Sequence, residues 1–65
     1  MTTRQGANKP SNVVAMAAYH RGMTSEDARE RARADLLAGN KTGAEWWYEM
    51  VRHIMVLEET DRRRQ

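Results

Sequence analysis

The segment from Trp46 to Glu59 contains neither proline nor glycine, and its large apolar residues recur at helical spacing. At about 100° per residue they cover about 200° of the helix circumference, whereas packing on one neighbour needs a stripe only a little over 100° wide. The residues on this arc are Trp46, Leu57, Met50, Ile54, Trp47, Val51, Met55 and Tyr48. The chain must therefore fold around one helix that needs more than one covering partner.

A first helix is predicted upstream by its start and stop signals. Pro10 or Ser11 suits the first turn or cap, because the N–H that proline lacks is not needed there. Gly22 suits a left-handed residue at the helix end. Spacings of three and four place Val13, Met16, Ala17 and His20 on one face, which predicts that this face points inward.

Two capping patterns predict where the second and third helices begin. Thr24 is followed three residues later by Asp27, an acidic variant of the capping box, and Gly39 marks the end of that helix. Thr42 and Glu45 repeat the pattern, so Thr42 is the predicted cap of the third helix. The apolar stripe of the second helix is Ala28, Ala32 and Leu36, with Leu37 beside it.

These signals predict an all-α protein, a small domain of three helices. The helices are expected near residues 11–21, 25–38 and 43–61, the first two forming a hairpin and the third ending in a frayed tail. Residues 1–10 hold no periodic apolar residues and are expected to be a flexible arm. Residues 11–65 are expected to be a single domain.

Chain length makes this domain marginal, since a chain of 65 residues buries only about 60% of the surface that its unfolded form exposes. No cysteine is present, so disulfides cannot support the fold. Eleven Lys and Arg residues are interspersed with nine Asp and Glu residues, a mixture normal for a helical surface. No segment has the length and apolarity of a membrane span or a signal peptide, so we expect a cytoplasmic protein without membrane partners.

Oligomerisation is the remaining support for such a small core. The alanine-rich faces of the first two helices are small for the wide arc of the third, which predicts dimerisation through the third helix. The expected function is that of a non-catalytic interaction or regulatory protein, a homodimer that also binds an unidentified partner protein. The alternative is that the three helices close around the whole arc. The predicted interface consists of Trp46, Trp47, Met50, Val51, Ile54, Met55 and Leu57.

Catalytic chemistry has few candidate residues in this chain. His53 follows Glu49 by four residues, so the two side chains could share a metal ion on one helical face. A metal site needs three or four ligands, and no further ligand has suitable spacing, so an ordinary contact on the helix surface is the preferred interpretation. The sequence thus predicts no enzyme, no metal and no cofactor.

DNA binding is the alternative function, because the turn between the first two helices resembles a helix-turn-helix. The matching small, glycine and apolar positions are Ala18, Gly22, Met23 and Ala28. Arg31 departs from the family, which buries an apolar residue there, and Glu26 and Asp27 would repel phosphates at the start of the recognition helix. The possible nucleic-acid contacts are Arg29, Arg33, Arg62, Arg63 and Arg64.

A second resemblance covers residues 22–50, which are similar to the ubiquitin-associated three-helix domain. The matching segments are GMTSEDA at 22–28, GN at 39–40 and AEWW at 44–47. The second helix is several residues longer than in that family and carries arginine at an apolar position, so the resemblance implies a compact three-helix arrangement and not ubiquitin binding. In its short length and general composition the chain also resembles the short accessory proteins encoded by phages and plasmids.

Overall fold

The computed structural model describes residues 9–64, which form three α-helices and no strand. Helix α1 spans Asn12–His20, α2 spans Ser25–Leu37 and α3 spans Lys41–Arg64. The predicted all-α, three-helix class is confirmed. Residues 1–8 of the predicted arm lie outside the described residues, and Pro10, at the end of that arm, is buried.

Side-chain caps begin α1 and α2 where the sequence predicts them. The Ser11 hydroxyl accepts a hydrogen bond from the Val14 N–H at 3.3 Å. The Thr24 hydroxyl accepts from the Asp27 N–H at 3.1 Å, and the Asp27 carboxylate accepts from the Thr24 N–H at 3.0 Å. The predicted capping box is therefore present, and it satisfies two backbone donors that have no partner inside the helix.

Glycines end α1 and α2, also as predicted. Gly22 has a φ of 103° and Gly39 a φ of 84°. Both values lie in the left-handed backbone region, which residues with a Cβ atom rarely adopt. At the end of α1, the Gly22 N–H donates to the Tyr19 carbonyl and the Met23 N–H donates to the Ala18 carbonyl, each at 3.0 Å. This pair of bonds is the Schellman pattern.

The start of α3 differs from the prediction, because Asn40 caps this helix and Thr42 does not. The Asn40 N–H donates to the Asp35 carbonyl at 2.8 Å and so closes the end of α2. The side-chain oxygen of the same residue accepts from the Gly43 N–H at 3.1 Å and opens α3. Gly39 turns the chain so sharply that the next helix begins two residues earlier than predicted, which leaves Thr42 inside its first turn.

The end of α3 also differs, since the helix continues to Arg64 and no frayed tail follows residue 61 within the described chain. Arginine has a high helix propensity, and Arg62, Arg63 and Arg64 place positive charge at the negative end of the helix dipole. The three residues thus extend the helix by almost a turn.

Helix α3 is the centre of the fold, and α1 and α2 each pack on it. Ser25 at the start of α2 contacts Glu58 near the end of α3, so these helices are antiparallel. Tyr19 at the end of α1 contacts Asp61, so α1 runs in roughly the same direction as α3. No close packing joins α1 to α2 in the described chain, so the predicted hairpin of these helices is wrong. Their connecting turn sets them on different sides of α3.

The core lies where alanines of the outer helices meet large side chains of α3. Met50 and Ile54 are the largest fully buried side chains. The buried apolar residues are Ala15, Ala28, Ala32, Ala44, Met50, Val51 and Ile54. Since alanine places little between two backbones, each outer helix approaches α3 closely and encloses its central residues.

The inward face of α1 is not the one that spacing predicted. Ala15, Ala18 and Tyr19 face α3, whereas the four residues of the predicted stripe are exposed: Val13, Met16, Ala17 and His20. In α2, Ala28 and Ala32 are buried as predicted, but Leu36 and Leu37 are exposed. Apart from Tyr19, the residues of the two helices that face α3 are alanines, which allow close approach, and the larger aliphatic residues lie outside.

Candidate interaction surface

The structure divides the seven predicted interface residues into three groups. Met50, Val51 and Ile54 are buried in the core of the single chain, so they offer no surface to a partner. Trp46, Trp47 and Leu57 are half-buried at the edges of this core. Only Met55 is exposed, with 48% of its surface accessible. The predicted arc is therefore covered along its middle and open on one flank.

The two indoles form an edge of the core and are not sealed inside it. Their rings meet edge to face, with centroids 5.0 Å apart and planes at 82°. The Arg31 guanidinium lies 5.3 Å from the centroid of the Trp47 ring, in a cation–π contact. Arg31, which departs from the helix-turn-helix pattern, therefore covers an aromatic ring from outside.

A groove between α1 and α3 lies beside this core, and we call it the α1–α3 groove. It has a volume of about 310 Å³. Its lining residues are Asn12, Ala15, Met16, His53, Val56 and Leu57. Met16 is 44% exposed and Val56 is 64% exposed, so the groove presents apolar side chains to solvent.

A second surface continues from Val56 across the side of α3 that faces away from both other helices. We call it the α3 outer face and define it by six exposed residues: Tyr48, Arg52, Met55, Val56, Glu59 and Arg63. Met55, Val56, Glu59 and Arg63 line a shallow depression of about 390 Å³ together with Thr60. Since Val56 lines both this depression and the α1–α3 groove, the two surfaces are continuous.

Sequence reasoning identified Met55 at the border of the apolar arc, but it missed Val56 and the charged residues around it. The signal was present in the spacing, because Tyr48, Arg52, Met55 and Glu59 follow one another at four, three and four residues. This spacing places them on one side of a helix. Two charged residues in that series hid it from a search for apolar residues alone.

Two polar contacts between distant residues hold the outer helices on α3. The Ser25 N–H and hydroxyl donate to the two Glu58 oxygens at 2.9 and 2.8 Å. The Tyr19 hydroxyl donates to the Asp61 carboxylate at 2.5 Å. No local sequence pattern identifies these pairs, since their members are 33 and 42 residues apart.

The Tyr19 contact predicts a loss of stability at alkaline pH. The hydrogen bond to Asp61, with smaller effects of desolvation and of the Asp61 and Glu58 charges, raises the pKa of Tyr19 above the ordinary 10.0. The folded chain thus holds this proton more tightly than the unfolded chain, so the contribution is fully present below about pH 10 and disappears as the pH rises through the raised pKa. Urea unfolding of wild type and Tyr19→Phe at several pH values measures it.

We expect the wild type to lose more stability than Tyr19→Phe as the pH rises from below 10 through the raised pKa of Tyr19. The variant is a matched control, because it keeps the ring and every other titrating group while removing the hydroxyl. Parallel stability profiles for the two proteins would contradict the assigned role of the contact.

The candidate nucleic-acid contacts do not form one cluster. Arg29 and Arg33 are exposed on α2, and Arg62 to Arg64 are exposed at the end of α3. The contact between Ser25 and Glu58 lies between these two sets along the α3 axis. The same contact adds Glu58 to the carboxylates at the start of α2, next to Glu26 and Asp27. Three carboxylates there strengthen the electrostatic objection to placing this helix end against phosphates.

The candidate metal pair, Glu49 and His53, lies on α3. His53 lines the α1–α3 groove, and both it and Glu49 are half-buried. Across residues 9–64, no three His, Cys, Asp or Glu side chains are grouped as a metal ion would require. Within the same range, none of the helices combines the length and the apolarity needed to cross a membrane.

Comparison of the chain with models of protein families, with curated proteins and with solved structures found no match.

Proposed function

We propose that this chain is a non-catalytic interaction or regulatory protein, a homodimer that binds a partner protein through the apolar surface of α1 and α3. One observation carries the proposal: Met16, Met55 and Val56 are exposed around two continuous depressions, although the core beneath them is already closed. These side chains are therefore available to a second molecule without any rearrangement of the fold.

Burial of these side chains against a second molecule would add free energy of association. Enclosing a Val or Met side chain is worth roughly 1.5 to 3 kcal/mol relative to leaving it exposed. A domain of this size has a small margin of stability, so two or three such side chains are a large share of it. Contiguous exposed apolar surface on a small protein commonly marks an interaction site.

The composition of the surface supports binding of another protein. Methionine is flexible and polarisable, so Met16 and Met55 can adapt their shape to a partner. The charged residues beside them, Arg52, Glu59 and Arg63, keep the free surface compatible with water and can select a partner by charge. A two-fold dimer needs only one self-complementary patch, which is why a second copy is the simplest occupant of part of this surface.

Sedimentation velocity at micromolar concentration tests the proposal. We expect the wild type to sediment with twice the monomer mass and Val56→Asp to sediment as a folded monomer. A carboxylate at the junction of the two depressions would be buried in the dimer without a cation or a hydrogen-bond donor to compensate its charge. Leu37→Asp is the matched control. Leu37 is 84% exposed on α2 and lines neither depression, so its variant should remain dimeric.

Circular dichroism of each variant separates loss of association from loss of folding. A wild type that stays monomeric throughout the concentration range would remove homodimerisation from the proposed function. A Val56→Asp variant that remains dimeric would place the interface on another surface.

A further inference from the structure

The order of residue types along the α3 outer face has a symmetry that a second copy can match. Reading along the helix, the face presents Tyr48, Arg52, Met55 with Val56, Glu59 and Arg63. Arg52 and Glu59, which carry opposite charges, lie at nearly equal distances before and after the apolar centre. An arrangement of this kind is complementary to itself when one copy is reversed.

Helix geometry converts this symmetry into a register. Consider a second α3 placed antiparallel to the first, with a two-fold axis passing between Met55 and Val56. Each residue then lies at the same height along the helix axis as one residue of the partner. The numbers of two such residues add up to 111, because the two-fold axis passes halfway between 55 and 56. Met55 is then level with the partner's Val56, so each of these two residues is offset from its own copy by only about 1.5 Å along the helix axis. Arg52 is level with the partner's Glu59. Because the two copies are related by a two-fold axis, the dimer contains this ion pair twice.

A parallel arrangement would reverse the electrostatics of the same residues. It would place Arg52 against the partner's Arg52 and Glu59 against the partner's Glu59. Like charges facing each other across an interface are unfavourable. The charges of the outer face therefore select the antiparallel orientation.

We propose that a second copy of this chain docks antiparallel on the α3 outer face, with Met55 and Val56 at the two-fold axis and Arg52 paired with the partner's Glu59. The inference rests on the proposed function and names one occupant and one register for part of its surface. Val56, at the two-fold axis, also lines the α1–α3 groove. The groove remains beside the dimer contact as a place for a different protein.

Contacts at the ends of the proposed interface fit the same register. Tyr48 lies opposite the partner's Arg63, a combination that allows a cation–π contact. Within one chain, the Arg63 guanidinium lies 3.9 Å from the Glu59 carboxylate, with both side chains well exposed. In the dimer, that carboxylate is placed between Arg63 of its own helix and the partner's Arg52. A carboxylate with two cationic neighbours is well compensated.

Single cysteines test the register directly, because the natural chain contains none. Cysteine at position 56 lies next to its own copy across the two-fold axis, so Val56→Cys should form a disulfide-linked dimer under mild oxidation. Thr60→Cys is the matched control, because Thr60 is exposed on the same helix and lines the depression beside this face. Residue 60 is level with position 51 of the partner, which separates the two copies by about 13.5 Å along the axis at about 1.5 Å per residue. A disulfide needs Cα atoms within about 7 Å.

Charge reversal tests the ion pairs independently of any crosslink. Arg52→Glu and Glu59→Arg should each raise the dissociation constant by about tenfold or more, because each places like charges opposite one another twice. The double variant Arg52→Glu/Glu59→Arg should restore dimerisation, since the pair is exchanged intact. An equimolar mixture of the two single variants should form a mixed dimer, because one then carries two glutamates and the other two arginines.

The outcomes separate this inference from the proposed function. If the wild type is a dimer, but Val56→Cys crosslinks no better than Thr60→Cys and the double variant fails to restore association, the register is overturned while the proposed function stands. If the wild type is monomeric, both the register and the homodimer are overturned. The same holds if the segment before Lys9 covers the outer face, because the chain is then monomeric and Val56→Cys forms no dimer.

Discussion

Replacing Ile54 with alanine is expected to lower the free energy of unfolding by about 2 to 5 kcal/mol, the largest effect among the substitutions considered. Ile54 is fully buried and shares the core with Met50 and Val51. The shortened side chain leaves a cavity that the helices cannot refill, because alanines already hold them close. For a chain of 65 residues, a loss of this size brings a large fraction of molecules to the unfolded state.

Urea unfolding followed by circular dichroism measures this loss at one fixed protein concentration. Leu37→Ala is the matched control, because it also shortens an aliphatic side chain in a helix, but Leu37 is almost fully exposed. We expect that control to change stability by no more than about 0.5 kcal/mol. Equal losses from the two substitutions would show that the core is not centred on Ile54.

Enlarging Ala28 to leucine is expected to destabilise the fold by about 1 to 3 kcal/mol. Ala28 is fully buried where α2 meets α3, so the added carbon atoms have no space unless α2 moves outward. An outward movement also weakens the Arg31 contact with Trp47 and the Ser25 contact with Glu58. Tryptophan fluorescence provides a second readout besides the urea midpoint, since the half-buried indoles become more exposed to water.

Ala34→Leu controls for the size and helix propensity of the new residue, because Ala34 lies on the same helix and is exposed. We expect this variant to unfold near the wild-type urea midpoint with unchanged fluorescence. If Ala28→Leu were as stable as Ala34→Leu, close approach of α2 to α3 through alanine would not be a requirement of the fold.

Local signals account for the parts of the fold that could be predicted from sequence. Three helices, the Thr24 capping box and the glycines at 22 and 39 all depend on residues within a few positions of one another. The start of α3 was predicted wrongly because two signals overlap there. Asn40 ends α2 through its backbone N–H and caps α3 through its side chain. The Thr42 pattern predicts a cap two residues later, but Thr42 does not cap the helix.

Packing between helices was harder to predict, for a physical reason. Periodicity identifies an apolar face, and the prediction assumed that the larger apolar residues point inward. In α1, the opposite holds, since Ala15 and Ala18 face α3 while Val13 and Met16 face solvent. Close approach of two backbones favours small residues, and the size of an apolar residue alone does not reveal this preference.

The same preference for small residues between helices explains why the exposed apolar surface differs from the predicted interface. The width of the apolar arc on α3 correctly indicated that some of it would stay open. Met50, Val51 and Ile54, however, are buried in the core of the single chain, although they belong to the interface predicted from the sequence. The open part lies on one flank, at Met55, and extends to Val56 and the charged residues beyond it. Contacts such as Tyr19 with Asp61 lay outside the reach of sequence reasoning, because only the folded topology brings them together.

The central position of α3 has a consequence for synthesis of the chain on the ribosome. Helices α1 and α2 make no close contact with each other, and each completes its packing only against α3. Both precede α3 in the chain, so they emerge from the exit tunnel first and have no folded neighbour until α3 follows. Cooperative folding therefore waits until Glu58 and Asp61 have emerged, and until then the alanine faces of the first two helices stay exposed to water.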